Sequence, residues 1–214
     1  MKRIFPLLFA GLVLSAGASA PVRAETAILA GGCFWCVESD LEHLSAVREV
    51  VSGYAGGTSE NPTYKTYERS GHREVVKVDF DETKLSYGDL VAIFLRTVDV
   101  TDPGGQFCDR GHAYSTAIYP LNDAQAKAAK AEIAKAEKVL GGKVVTPVEA
   151  PAVFWPAEDY HQNYYKSDVR TLTRFGYVTR ADAYKGYRKG CGRDARVKAV
   201  WGSEAFKGLP KAGS

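Results

Sequence analysis

The chain has 214 residues and a formal net charge of +3, from 28 Lys and Arg against 25 Asp and Glu. Lys2, Arg3 and Arg23 fall in the first 24 residues, which hold no acid, so residues 25–214 carry 25 basic and 25 acidic side chains. That balance leaves no electrostatic footprint for nucleic acid, and about 190 residues are enough for one domain with a full core.

Residues 1–24 read as an export signal. Lys2 and Arg3 make a basic start, Ile4 to Ala18 is apolar and uncharged, and Ala18-Ser19-Ala20 and Val22-Arg23-Ala24 offer small residues for cleavage after Ala20 or Ala24. The apolar run is shorter than the ~20 residues a membrane span needs, so membrane contact is expected only in transit. A bacterial periplasm is the expected destination, and residues 25–214 the single mature domain.

Thr26 to Ala30 predicts a short strand, and Gly31-Gly32 a tight turn into a helix running from near Cys33 to about Leu44. Val47 to Tyr54 predicts a strand, and Ala55 to Gly71 an ordered, polar functional loop. Val76, Val78 and Phe80 alternate with Lys77 and Asp79, as in a half-buried strand over Val75 to Phe80. Ser86 and Asp89 form a capping-box pattern before the helical face Leu90, Val91, Phe94, Leu95 and Val98. After a glycine-containing loop over Thr101 to Arg110 come a strand from Tyr114 to Tyr119 and an Ala/Lys/Glu helix from Asn122 to Leu140. The helix is closed by Gly141-Gly142, and its charged run reads as a solvated face. Val144 to Val148 predicts a strand, Ala157 to Tyr165 a short helix, and the tail from about Thr171 an irregular segment. This alternation predicts an α+β fold, helices packed on a mainly antiparallel sheet as in a ferredoxin-like α/β sandwich.

Four cysteines lie beyond the signal: Cys33, Cys36, Cys108 and Cys191. They are few for a domain that can build a core without staples, and the C-x-x-C spacing of Cys33 and Cys36 points to redox chemistry over structural bridging. Cys33 falls at a helix start, where free N–H groups and the macrodipole favour an anion, so an easily formed thiolate is expected there. Phe34 and Trp35 give that sulfur an aromatic neighbourhood suited to a small apolar group. Polar groups gather in Asn61-Pro62-Thr63-Tyr64, in Gly71-His72-Arg73-Glu74, and in Phe107-Cys108-Asp109-Arg110-Gly111 followed by Tyr114.

Together with Gly53-Tyr54-Ala55-Gly56-Gly57 and Ala157-Glu158-Asp159-Tyr160-His161-Gln162, these segments resemble the A-type peptide methionine sulfoxide reductases over roughly residues 26–166. The resemblance implies thiol-dependent reduction of the S epimer of methionine sulfoxide, free or in proteins, as repair of oxidised exported proteins. It implies Cys33 as nucleophile, Glu74 as the acid that protonates the departing oxygen, Tyr64 and Tyr114 as its hydrogen-bond donors, and Asp109 as an organiser of the polar side. Phe34 and Trp35 would enclose the S-methyl group. The chemistry agrees: a thiolate is a soft nucleophile, burial raises a glutamic acid's pKa, and the product on Cys33 is a sulfenic acid. No bound cofactor or metal is implied, only an external thioredoxin-like dithiol reductant.

A second thiol must resolve the sulfenic acid. Cys191, between glycines in the tail, is the first candidate; Cys36, which would need helix-turn strain to reach Cys33, and Cys108, beside Asp109, are the others. His72 and His161 read as structural hydrogen-bonding groups. A thioredoxin-like thiol-disulfide oxidoreductase is the rival reading, but the eight residues from Glu25 to Gly32 are too little chain before its motif. A zinc module would need a second close ligand pair.

Overall fold

The computed structural model describes residues 24–210. The predicted export segment lies outside them except for Ala24, which already pairs with Asp81. In chain order the elements are β1 (Ala24–Gly31), α1 (Phe34–Leu41), β2 (Val47–Ala55), β3 (Arg73–Asp81), α2 (Tyr87–Leu95), β4 (Gly105–Gln106), β5 (Asp109–Arg110) and β6 (Thr116–Tyr119). They continue with α3 (Asp123–Leu140), β7 (Trp155–Pro156), β8 (Arg170–Thr173), β9 (Gly176–Thr179), α4 (Arg180–Gly190) and α5 (Arg193–Trp201).

The main sheet has the order β6-β1-β3-β2-β7, and every neighbouring pair is antiparallel. The path β1-α1-β2-β3-α2-β6 through that order is the ferredoxin-like arrangement predicted from the element alternation. Successive strand residues point to opposite faces. Ala27, Leu29, Val50, Val76, Val78, Phe80 and Ile118 therefore meet Val37 and Leu41 of α1 and Leu90, Val91 and Phe94 of α2. Ile28, Ala30, Val75, Ala117 and Tyr119 face the other way, under Ala152 and Phe154. Burial on both faces is why the middle of β1 is an unbroken apolar run.

The expected caps form. Ser86 Oγ accepts the Asp89 N–H at 3.1 Å, Asn122 Oδ1 accepts the Gln125 N–H at 2.9 Å, and Gly141 closes α3 at φ +63°. Several segments depart from expectation. α1 begins at Phe34, with Cys33 as its N-cap, and ends at Leu41. Tyr114 ends a 3-10 turn, and the strand starts at Thr116. Val144 to Val148 makes only an isolated bridge from Val148 to Ile118; Pro147 lacks the N–H a ladder needs. Ala157 to Tyr165 breaks into two 3-10 turns, because Asn163 takes φ +55° and Gln162 turns back to bond both backbone groups of Ser52.

The largest correction concerns the tail, which is regular: β8 and β9 form a hairpin, followed by α4 and α5. Thr179 Oγ1 caps α4 by accepting the Asp182 N–H at 3.1 Å. Ala183, Tyr184, Val197 and Trp201 are buried, and Trp201 Nε1 donates to Val98 O at 3.1 Å. Gly186 is where the Phe175 ring crosses α4; a Cβ there would come within 2.7 Å of that ring.

Arg193 locks this tail to the sheet domain. It is 1% exposed, donates to Gly31 O at 3.3 Å and Thr97 O at 3.1 Å, lies 3.8 Å from Asp40, and covers the Phe107 ring at 4.7 Å. Removing one member of a buried charged network costs about 3–5 kcal/mol, because its partners stay buried and unpaired. Arg193→Met is expected to lower the unfolding free energy by about that amount, read as a lower denaturant midpoint at unchanged slope. A midpoint equal to wild type would contradict this role.

Candidate active site

The turn before α1 sets the position of the sulfur. Gly32 has φ +79°, and a Cβ there would come within 2.5 Å of Gln106 Cβ. Gln106 is itself fixed, accepting the Asp99 N–H at 2.9 Å and donating to Asp99 O at 2.8 Å. Cys33 is thus held, half-buried, against the β4–β5 hairpin, with the buried Cys36 one turn along. The Cys36 N–H donates to Cys33 O at 3.0 Å, and both cysteines are free thiols. The expectation of an easily formed thiolate on Cys33 is corrected here. Its hydrogen bond to Cys36, its burial and the negative charges of Cys36, Glu74 and Asp109 push its pKa well above the ordinary thiol value. The same hydrogen bond, with the Arg193 and Arg188 charges, pulls Cys36 down. Of the two thiols, Cys36 is the one whose ionised form its surroundings favour.

Glu74 has the same parity as Val76 and Val78, so it points to the helix side of the sheet, directly under the start of α1. It is 2% exposed, and its Oε2 accepts the Phe34 N–H at 2.9 Å. Burial pushes its pKa up to about 8; the bonds from Phe34 N–H and Tyr67 hold it down, and Asp109 and Cys36 raise it further. The Tyr67 hydroxyl lies 3.0 Å from Glu74 Oε1 and 2.9 Å from the Tyr114 hydroxyl. One hydroxyl hydrogen cannot serve both; with a proton on Glu74, the carboxyl donates to Tyr67 and Tyr67 donates to Tyr114.

Tyr67 is absent from the sequence-derived set. Its signal was spacing: it follows Tyr64 by three residues, and the two rings stack at 5.8 Å. Tyr64 is the more exposed member, and its backbone N–H is held by Glu158 Oε1 at 3.0 Å. Burial and then the Glu74 charge push its hydroxyl up to about 12. Tyr114 is raised by the same two causes, so both phenols stay protonated donors at neutral pH.

Trp35 stacks on Tyr164, with centroids 3.8 Å apart at 8°. Phe34 is buried to 1%, with its ring 6.0 Å from Tyr54 and 5.0 Å from His161. His161 is an aromatic spacer among Phe34, Trp35, Tyr64 and Tyr160, and burial pushes its pKa down to about 4. His72 Nδ1 accepts the Gly57 N–H at 3.1 Å, inside the polar loop.

These groups open on one cavity of about 430 Å³, lined by Cys33, Phe34, Trp35, Cys36, Tyr64, Glu74, Asp109 and Tyr114. All ten sequence-predicted site residues reach it, because Cys108 and Cys191 line it too, with Arg174, Tyr187, Arg188 and Arg193. Burial raises Asp109, against the pull of Arg193 and Arg174. Cys191 is not a free tail thiol: it ends α4 and is disulfide-bonded to Cys108, while Cys33 and Cys36 are free. Cys108, Asp109 and Cys191 also lie close enough to share a metal ion, but two sulfurs in a disulfide offer no thiolate.

Comparison with known proteins places the chain in a family. The family model for peptide methionine sulfoxide reductase matches residues 25–190. A peptide methionine sulfoxide reductase MsrA 2 of Rhizobium meliloti is 53% identical over 198 residues, 92% of each chain. Its namesake in Caulobacter vibrioides is 42% identical over 208 residues, 94% of this chain and all of that one. Among solved structures, methionine sulfoxide reductase A of Corynebacterium diphtheriae aligns at TM-score 0.62 and 29% identity, covering 66% of this chain and 73% of that one. Mxr1 of Saccharomyces cerevisiae in reduced form aligns at TM-score 0.63 and 24% identity, covering 78% and 99%, which attests the fold. With that family model covering residues 25–190, most of the chain, the chain belongs to the peptide methionine sulfoxide reductase family.

Proposed function

We propose that this protein reduces the S epimer of methionine sulfoxide, free or in polypeptides, at Cys33. One observation carries the reading: a sulfur nucleophile, a carboxyl that burial keeps protonated and two phenol donors, Tyr64 and Tyr114, converge on a single aromatic cavity. The cavity suits an S-methyl group between Phe34 and Trp35, with the sulfoxide oxygen toward Tyr64, Tyr114 and Glu74. Cys33 passes its proton to Cys36 and attacks the sulfoxide sulfur. Glu74 protonates the oxygen; the substrate's sulfur–oxygen bond and the new bond from its sulfur to Cys33 then break as the hydroxyl passes to Cys33 Sγ, leaving a sulfenic acid on Cys33 and releasing methionine. Asp109 sits on the polar side and keeps a second carboxylate charge near Glu74, which favours the neutral form of that acid.

Cys36 is the resolver that the geometry favours. It is a free thiol one helical turn from Cys33, its N–H on Cys33 O at 3.0 Å, whereas Cys191, the first candidate from sequence, is engaged by Cys108. The Cys36 thiol attacks Cys33 sulfenic acid, forms the Cys33–Cys36 disulfide and releases water. An external thioredoxin-like dithiol protein returns the enzyme to the thiol form. The basic start and apolar run of residues 1–24 support export and a role in repair of exported proteins.

The reading is tested first with resolved epimers. Wild type is expected to reduce the S epimer and leave the R epimer, and Cys33→Ser to reduce neither while keeping its circular dichroism spectrum. Equal rates on both epimers, or activity without Cys33, would overturn it.

The acid role has a pH signature. Glu74 must carry its proton, so the wild-type single-turnover rate constant is expected to fall as pH rises through about 8. General acids contribute typically ~10²–10⁴-fold, so Glu74→Gln is expected to lose about that factor and to lose the alkaline fall with it. An alkaline limb that survives in Glu74→Gln belongs to another group.

For the resolver, Cys36→Ser is expected to accumulate Cys33 sulfenic acid, trapped by dimedone, where wild type gives a Cys33–Cys36 disulfide peptide. A wild-type peptide joining Cys33 to Cys191 would return that role to the tail.

A further inference from the structure

The hairpin of β8 and β9 has one face on the protein and the other in water. Residues of like parity share a face, and Leu172 pairs directly with Tyr177. Val178, on the inner face, packs against the cluster of Cys36, Tyr164 and Tyr184. Leu172 and Tyr177 stand on the outer face, 81% and 63% exposed. A sheet face in water ordinarily carries polar side chains. Of the nine large hydrophobic residues exposed among those described, four, Val169, Leu172, Phe175 and Tyr177, fall in this one segment. Such a concentration, unlike a scattered exposed side chain, marks a surface that meets a partner.

This segment is continuous with the active site. Arg174, at the hairpin turn, lines the cavity, as does Tyr187 of α4. Arg174 lies over the Tyr187 ring at 4.7 Å, and the Phe175 ring meets that ring edge-on at 5.1 Å. The segment is also basic. Residues 166–188 hold six Lys and Arg against two Asp, within a domain whose total is balanced. No salt bridge among the described residues engages Arg170, Arg174 or Arg180. Each lies instead against an aromatic ring, Arg170 over Tyr177 at 5.3 Å and Arg180 over Tyr164 at 5.8 Å. Asp182, the acid that starts α4, is taken by Thr179 and Lys185. The hairpin therefore offers apolar side chains and uncompensated positive charge beside the cavity.

We propose that the outer face of the β8–β9 hairpin is a docking surface for a polypeptide substrate, an extended segment with apolar and acidic residues beside the oxidised methionine. The proposal rests on the reading of the cavity given above and names which polypeptides that site takes. Methionine is mostly a core residue, so the segments that carry it are commonly apolar. Oxidation makes its side chain polar and disrupts the core that held it, which exposes those segments. With the sulfoxide side chain in the cavity, the segment leaves past Arg174 and along the hairpin. A four-residue strand spans about 13 Å, so the hairpin reaches the residues one to about four places from the sulfoxide. Their apolar side chains rest on Leu172 and Tyr177, and an acidic one pairs with Arg170 or Arg174. Free methionine sulfoxide fills the cavity and leaves this face uncovered.

The test compares substrates that share the sulfoxide and differ in their flanks, with dithiothreitol as reductant so that no protein donor takes part. The substrates are N-acetyl-methionine S-sulfoxide and two short peptides with a central methionine S-sulfoxide, one flanked by Leu, Phe and Glu, the other by Ser, Gly and Lys. Wild type is expected to show roughly tenfold higher kcat/KM on the first peptide, the worth of one partly buried apolar side chain. That advantage is expected to shrink as salt rises. Leu172→Ser/Tyr177→Ser is expected to lose most of it while reducing N-acetyl-methionine S-sulfoxide at the wild-type rate. Arg170→Gln is expected to keep the apolar preference and lose part of the salt dependence. Equal kcat/KM on the two peptides in wild type would overturn the docking surface and leave the proposed function standing, and that result needs no variant to fold. A double variant slowed on all three substrates alike, or slowed only when a thioredoxin-like protein replaces dithiothreitol, would overturn it too. No reduction of N-acetyl-methionine S-sulfoxide by wild type would instead remove the proposed function on which the docking surface rests.

Discussion

The contact on which the site depends is the bond from the Phe34 N–H to the Glu74 carboxyl. It joins the first free donor of α1 to a carboxyl on the inner face of the central strand β3. A helix start ordinarily stabilises a carboxylate, but here burial outweighs it, because Glu74 lies under the helix with almost no access to water. The carboxyl keeps its proton near neutrality and stays aimed into the cavity. The same helix start fixes Cys33, so nucleophile and acid are positioned by one piece of backbone. Displacing α1 by one residue would lose both.

Around that contact the fold arranges charge so that each sulfur differs from its neighbour. Glu74 and Asp109 face Cys33 and disfavour its anion. Arg188 and Arg193 face Cys36 and favour its anion. Both arginines come from the C-terminal segment, and Asp40 of α1 offsets them, 2.8 Å from Arg188 and 3.8 Å from Arg193. The tail is therefore part of the electrostatics of the site, and α4 packs Ala183 and Tyr184 in one buried cluster with Cys36.

Much of this was legible in the sequence. The alternation of β3 and the caps of α2 and α3 are local signals, and the structure places them within a residue or two. The segments carrying Cys33, Tyr64, Glu74, Asp109 and Tyr114 are separated along the chain, but each sits where a loop meets a regular element, and topology brings them together. What was not legible depends on non-local packing. The tail looked irregular because its helices are rich in glycine, arginine and tyrosine, and their burial comes from contacts such as Trp201 with Val98 and Gly186 with Phe175. Tyr67 was one of twelve tyrosines until the sheet placed its hydroxyl between Glu74 and Tyr114. The helix start that favours a Cys33 anion is a local signal, whereas two of the groups that oppose it, Glu74 and Asp109, reach the sulfur only through the fold.

The protonation state of Glu74 is the most direct test of this account. Infrared spectroscopy of the substrate-free protein, with Glu74→Gln as the reference, isolates the C=O stretch of that carboxylic acid. The account predicts a protonated-acid band at neutral pH that titrates away with a midpoint near pH 8. A band already lost below neutral pH, leaving an ionised Glu74 under α1, would contradict it.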